Sequence, residues 1–185
     1  MKTLALLALA ATLAIAPAAQ AADQMDPALK EQARRSIDAG LHYLRGQQAE
    51  NGSLSGSVGI TALALRAFLE SHRGYNEADG PFVTRPVEFI LSKVNDDGSI
   101  SESLQNRSYN TAVALVALAA TKNPKYQGAI SDGQKFLSGH QIDESEGYQQ
   151  DHRYYGGIGY GGDERPDLSN LYLAIEGLKA TATDP

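Results

Sequence analysis

Three apolar segments recur along the chain, and their high alanine and leucine content is typical of α-helices. They lie at residues 61–69, 111–118 and 171–178. Ala64, Ala114 and Ala174 occupy equivalent positions in them, at spacings of 50 and 60 residues. The second segment is apolar on nearly every side, so other helices must enclose it. This repeat predicts an all-α fold.

A more polar, amphipathic segment precedes each apolar one. These segments lie at residues 27–46, 82–94 and 130–138. Each carries a single apolar stripe at helical spacing, which is typical of a helix on the outside of a bundle. The chain therefore predicts three helix pairs, each with an outer and an inner helix. A period of roughly 45 to 60 residues is typical of stacked helical-hairpin repeats.

A glycine turn joins the outer helix of each pair to the inner one. Residues 51–54 (Asn-Gly-Ser-Leu) and 97–100 (Asp-Gly-Ser-Ile) lie at the same distance from the preceding outer helices. Glycine supplies the positive φ that such a turn requires. In the third unit, the equivalent turn is residues 156–158 (Gly-Gly-Ile). It comes about twelve residues late, which indicates an insertion before it.

These motifs resemble the repeats of the prenyltransferase and squalene cyclase family. Gln47-Gln48 followed by residues 51–53 is similar to the family's Gln-Trp motif, and residues 156–160 with 165–170 are similar to a stretch in bacterial members. The resemblance covers residues 28–180. It implies a terpenoid cyclase-like α/α toroid, of which about three helix pairs form an incomplete ring.

The residues that run the family's known reactions are missing from this sequence. The chain has no Trp and no Cys, so the zinc site of the protein prenyltransferases cannot form. The nearest match to the cyclase Asp-x-Asp-Asp acid is residues 94–97, which lack the first Asp and read as a turn. We therefore assign no catalytic residue, no metal site and no cofactor.

The N-terminus reads as a secretory signal peptide. Lys2 is followed by an apolar run at residues 3–16, and residues 19–21 (Ala-Gln-Ala) form a small-x-small cleavage site. The predicted boundaries are 1–21 for the signal peptide, 22–27 for a linker and 28–185 for the repeat domain. The mature chain would be a soluble periplasmic or secreted protein, with no later run able to span a membrane.

The charge of the chain argues against nucleic acid and anionic membranes as partners. The formal net charge is −6, with 22 acidic and 16 basic residues scattered along the sequence. An acidic surface of this kind is a poor ligand for nucleic acid or for anionic membranes.

Two regions supply candidate ligand-binding residues. The tyrosine-rich insertion suits a sugar, an isoprenoid or a peptide, although its rings would also simply cap the helix layer. The starts of the inner helices would line a cavity rim if the resemblance holds, although Asn there would equally cap the helix. The candidates are Arg107, Tyr109, Asn110, Arg153, Tyr154, Tyr155, Tyr160, Asp163, Asp167 and Asn170.

Two further patterns are assigned no site. The glycines at 157, 159 and 162 match a dinucleotide fingerprint but lack the strand that should precede it. The four histidines, at 42, 72, 140 and 152, form no metal-binding pair and are expected at solvated surface positions.

Two functions remain open at this point. The chain is either a non-catalytic binding or interaction module for an isoprenoid, a glycan or a protein, or a periplasmic enzyme, terpenoid cyclase-like or glycan lyase-like. Three helix pairs leave an open arc, so we expect either a homodimer or a missing C-terminal half to complete the ring.

Overall fold

The computed structural model describes residues 25–161 and 165–182, so the predicted signal peptide lies outside the described residues. These residues form six α-helices, none of which has the length and apolar run of a membrane span. They are α1 (Pro27–Gly46), α2 (Val58–Glu70), α3 (Pro81–Leu91), α4 (Arg107–Ala120), α5 (Gln127–Ser138) and α6 (Leu168–Thr181). The predicted all-α fold of helical hairpins is confirmed.

The helix boundaries follow from local capping and turn chemistry. The Asp26 carboxylate accepts a hydrogen bond from the Ala28 amide at 2.7 Å, and proline opens the helix at its first position. Helix α3 ends three residues before the predicted residue 94, because Val94 already pairs with Ile100 across the next turn. Helix α5 begins three residues earlier than predicted, at Gln127.

Helix α4 lies at the centre of the molecule and is enclosed, as its apolar sequence predicts. Every residue from Asn110 to Leu118 is buried. Helix α6 approaches so closely that a Cβ on Gly177 would lie 2.9 Å from the Ala112 carbonyl oxygen. Helices α2 and α6 also meet each other, since Arg66 forms a 2.8 Å ion pair with Glu176.

The inner helices follow one packing rule. Helix α2 packs against both helices of the next pair, α3 and α4, and α4 packs against both helices of the pair after that, α5 and α6. Helices α2 and α4 therefore each pack against the hairpin that follows them in the chain. Helix α1 makes few contacts by comparison, and Leu41 is its single buried residue.

The first two glycine turns have the same backbone geometry. The Gly52 and Gly98 amides donate hydrogen bonds to the carbonyl three residues earlier at 2.8 and 2.9 Å, and both residues have φ near +82°. Each glycine is pressed against the outer helix of the following pair. A Cβ on Gly98 would lie 2.6 Å from the Asp132 carbonyl oxygen.

The third turn repeats this geometry around a longer insertion. The Gly156 amide donates to the Ile142 carbonyl at 2.7 Å, and the Ile142 amide donates to Gly157 at 2.8 Å. Gly156, with φ +78°, is thus the equivalent of Gly98, whereas Gly157 takes the position of Ser99. The insertion is 11 residues long, because 14 positions separate Ile142 from Gly156 and three separate Asn95 from Gly98 (14 − 3 = 11).

Candidate functional site

The insertion builds a cavity of about 580 Å³ where α4 begins and α5 ends. It combines apolar side chains, charged side chains and bare glycine backbone. The lining residues are Leu104, Arg107, Ser108, Gly139, His140, Ile142, Glu146, Tyr148, Gly159 and Gly161. A pocket of this size and mixed lining suits a small ligand or one unit of a larger one.

Backbone contacts fix the segment that follows the insertion against the start of α4. The Ser108 amide donates to the Tyr160 carbonyl at 3.0 Å. A Cβ on Gly161, which has φ +104°, would lie 3.0 Å from the Ser108 backbone nitrogen. Ile142 and Ile158 are buried at the two ends of the insertion. The cavity wall is thereby attached to the helical core at both ends.

Arg107 is the first residue of α4 and places a charged group in the cavity wall. Its Nη1 donates to the Asp97 Oδ2 atom at 2.7 Å, and its guanidinium carbon lies 5.6 Å from the centre of the Phe136 ring. The Nε atom is buried without a hydrogen-bond partner among the described residues. Partial burial would raise the pKa of the Asp97 carboxyl, but hydrogen bonds from Ser99 and the nearby Arg107 outweigh it and lower that pKa.

His140 lies in the cavity wall, half-buried, rather than at the solvated position that the sequence suggests. Its ring packs on Phe136, with 4.0 Å between ring centres, and Nδ1 lies 3.2 Å from the Phe136 carbonyl oxygen. Because a carbonyl only accepts, Nδ1 carries the proton and Nε2 of the neutral ring is left as an acceptor. Burial lowers the pKa of His140, which favours that neutral form.

The insertion also supplies a carboxylate and an aromatic ring to the cavity. Glu146 accepts a hydrogen bond from the Asp143 amide at 3.0 Å, which anchors the short helical turn Glu144–Glu146. The Tyr148 ring lies 4.7 Å from His152, centre to centre. Glu146 and Tyr148 thus present one charged and one flat, partly apolar group on the same wall.

Three predicted site residues lie elsewhere on the insertion. Arg153 stacks over the Tyr154 ring, 4.5 Å from its centre, and Tyr154 in turn lies 5.3 Å from His152. The Tyr155 hydroxyl donates to the Glu144 carboxylate at about 3.0 Å. These side chains brace the insertion and do not line the cavity. The structure therefore separates the predicted tyrosine cluster into a cavity residue, Tyr148, and an external brace.

The inner-helix starts hold the other predicted residues, and the capping interpretation of the two asparagines is wrong. Asn110 and Asn170 are buried inside the first turns of their helices, whereas Asn106 and Asp167 occupy the cap positions. The Asn110 amide group donates to Ser101 at 2.9 Å and to Glu102 at 3.1 Å. Glu102 also accepts from the Val58 amide, so this asparagine links the starts of α2 and α4.

The remaining predicted residues that the structure describes do not line the cavity. Tyr109 and Tyr160 lie side by side, with 6.1 Å between ring centres, beside the cavity rather than in its wall. Asp167 accepts from the Ser169 and Asn170 amides at 2.9 and 3.0 Å as the cap of α6. Asp163 and Gly162 lie outside the described residues. No cluster of three metal-ligating side chains is found in residues 25–161 and 165–182.

Of the ten predicted residues, Arg107 lines the cavity, whereas His140, Glu146 and Tyr148 line it without having been predicted as site residues. A signal for them was present. His140 follows the last turn of α5 directly, and Glu146 and Tyr148 fall in the first half of the insertion. Because both ends of an insertion return to the same point of the scaffold, residues from either half of it can line a cavity there.

Comparisons with known proteins indicate one relationship. Lanosterol synthase of Homo sapiens is 29% identical to the chain in an alignment of length 109 that covers 49% of this chain and 15% of the synthase. No family model matches the chain, and no solved structure matches it. The similarity supports a squalene cyclase-like relationship over part of the chain, and the chain spans 15% of that relative's length.

Proposed function

We propose that this chain is an exported squalene cyclase-like repeat module that binds a glycan, without converting it, in the cavity under the insertion. The observation that carries the proposal is the joint presence of Arg107, His140, Glu146 and Tyr148 in a cavity of about 580 Å³. The export signal at residues 1–21 would deliver the module to a compartment where glycans are exposed.

The mixed lining favours a sugar over an isoprenoid. A pyranose has an apolar face that suits the Tyr148 ring and a rim of hydroxyls that hydrogen-bond to charged groups. An isoprenoid chain would cover His140 and Glu146 without offering them any hydrogen-bond partner. Each such loss costs about 1–3 kcal/mol, which offsets much of the gain from apolar burial.

Three carboxyl groups that lie near the cavity without lining it lack the raised pKa of an acid catalyst. Hydrogen bonds from Ser145 lower the pKa of Asp143, and hydrogen bonds within the α6 cap outweigh burial and lower the pKa of Asp167. The pKa of Asp97 is lowered as well. A cyclase-type acid needs a carboxyl whose pKa is raised so that it stays protonated. Asp97, Asp143 and Asp167 do not meet that requirement, so none of them supports a cyclase-type acid beside the cavity.

Binding to a panel of immobilised neutral, amino and acidic oligosaccharides tests the proposal. We expect at least one class to be retained, and Tyr148→Ala to weaken binding about tenfold through loss of ring contact. Tyr43→Ala, at a 64% exposed position on α1, is the matched control and should bind normally. Retention of farnesol with no sugar bound would favour an isoprenoid ligand and contradict the proposal.

A loop replacement isolates the cavity from the fold. Residues 143–155 would be exchanged for the two residues Asp-Asp, which join Asn95 to Gly98 in the second unit. Because the hydrogen bonds at the base are the same in both turns, we expect a folded helical protein that has lost sugar binding. Sugar binding that survives this exchange would overturn the assignment of the site.

A glycan-converting enzyme is the second candidate, and the geometry of His140 favours it. A neutral imidazole with Nδ1 held by a carbonyl leaves Nε2 ready to accept a proton, which is the arrangement of a general base. Incubation with the retained oligosaccharide, followed by mass spectrometry, separates the two functions. Product formation that His140→Gln abolishes would replace the binding proposal with this one.

A further inference from the structure

We propose that α6 of one copy of this chain packs into the groove between α1 and α2 of a second copy, head to tail. The groove has a volume of about 480 Å³, and its walls are mostly apolar. Ile37, Leu41 and Leu44 of α1 face Leu63 and Ala67 of α2 across it. This inference concerns a different surface from the sugar cavity and does not depend on it.

The packing rule inside the chain identifies the occupant. Helix α2 rests on the hairpin α3/α4, and α4 rests on the hairpin α5/α6. By the same rule, the hairpin α1/α2 should have an inner helix of a preceding unit packed against it. The inner helix α6 should in turn have a following hairpin to pack against. Both positions are open in the described structure. One copy therefore offers the helix that the other copy lacks.

The exposed faces of α6 and of the groove have matching chemistry. Leu168, Tyr172 and Ile175 are 83%, 65% and 55% exposed, and they lie three and four residues apart on one side of α6. On the groove side, Ile37 and Leu63 are 45% and 44% exposed. Single exposed apolar residues are ordinary, but a run of three on one side of a helix and a groove with mostly apolar walls are typical of surfaces that a partner covers.

The contact is heterologous, because the groove and the helix are different surfaces. Such a contact either closes into a ring or continues as a filament. The inner helices α2 and α6 already approach closely enough for the Arg66–Glu176 ion pair. Because this ion pair already joins the first and last inner helices of one copy, we expect closure after two copies, as a dimer with two identical contacts.

Sedimentation and light scattering of the purified protein test the inference, with one variant on each surface. Leu63→Arg places a charge in the groove, and Ile175→Arg places one on the α6 stripe. Both positions are exposed by more than two fifths, so both variants should fold, and circular dichroism verifies this. Each alone should raise the dimer dissociation constant about a hundredfold or more, because both contacts of the dimer carry the change.

Mixing the two variants provides the decisive measurement. A tagged Leu63→Arg chain still has a normal α6, and an Ile175→Arg chain still has a normal groove, so the pair regains one native contact. We expect the mixture to form heterodimers that neither variant forms with itself, while Tyr43→Arg, at an exposed position of α1 that does not line the groove, dimerises normally. A monomeric wild-type protein, dimers that survive both substitutions, or a mixture that stays monomeric would each overturn the inference.

Discussion

The Gln48 side-chain amide donates a 2.8 Å hydrogen bond to the Phe82 carbonyl in the first turn of α3. The residue four positions later, Pro86, has no N–H, so the usual helical donor to that carbonyl is missing. The side chain of the first repeat thus supplies the donor that the second repeat lacks. This contact gives a physical role to one glutamine of the Gln-Trp-like motif.

Removal of the Gln48 amide should therefore destabilise the protein, because the Phe82 carbonyl would lose its hydrogen-bond donor. We expect Gln48→Ala to lower the free energy of unfolding by about 1–2 kcal/mol in urea denaturation. Pro86→Ala restores a backbone donor, so the same change made in that background should cost clearly less. Equal costs in the two backgrounds would show that Gln48 acts in some other way.

Gly98 should tolerate no side chain. Its φ of +83° and a Cβ position 2.6 Å from the Asp132 carbonyl oxygen add strain to a backbone clash. We expect Gly98→Ala to cost about 2–4 kcal/mol by thermal or urea unfolding. Gly56→Ala is the control, because Gly56 has φ +66° but open space around it and should lose only about 1 kcal/mol.

The hydroxyls of Thr61 and Thr111 should contribute equally to their two repeats. Each is fully buried and accepts a hydrogen bond from the amide of the turn before it, at 2.9 Å from Leu54 and at 2.8 Å from Ile100. Replacement by Val keeps the shape and leaves the amide unsatisfied, so each change should cost about 1–3 kcal/mol. Amide hydrogen exchange would localise the effect: Ile100 should lose protection in Thr111→Val and keep it in Thr111→Ser.

His140 should make the protein less stable in mild acid. Its folded pKa is lowered, chiefly by burial, so the unfolded chain takes up the proton first as the pH falls. Stability is complete above the ordinary histidine pKa of about 6.5 and is lost as the pH falls from there through the lower folded value. Urea unfolding from neutral pH to mild acid should show this loss. His140→Asn should reduce it, and an unchanged slope in that variant would assign the loss to other groups.

The sequence predicts the helices well because their signals are local. The apolar periodicity of α4, the alanine register and the two short glycine turns each depend on neighbours within a few residues. The insertion before the third turn was predicted at about twelve residues and is 11 residues long, since two consecutive glycines precede Ile158 and only the hydrogen bond to Ile142 distinguishes them. Local pattern alone carries no such long-range information.

The cavity was predicted less well because it is formed by distant segments. Arg107 was found from the start of α4, but its pairing with Asp97 and its contact with Phe136 depend on how α4, α5 and the second glycine turn meet. His140 carries no motif and acquires its half-buried position from the packing of α5. Tyrosine enrichment pointed to the insertion that forms the cavity, yet the Tyr154 and Tyr155 rings lie outside the cavity wall.

The hydrogen-bonded base of the insertion separates evolutionary change in the insertion from evolutionary change in the helical core. Its ends are held by the same pair of backbone hydrogen bonds as a two-residue turn, so added residues burden the core only through loop entropy. Lengthening a loop from two residues to thirteen costs about 1–2 kcal/mol by chain statistics. Mutations between Ile142 and Gly156 can therefore change the lining of the cavity at little risk to folding, whereas the helices beneath evolve under the constraints of packing.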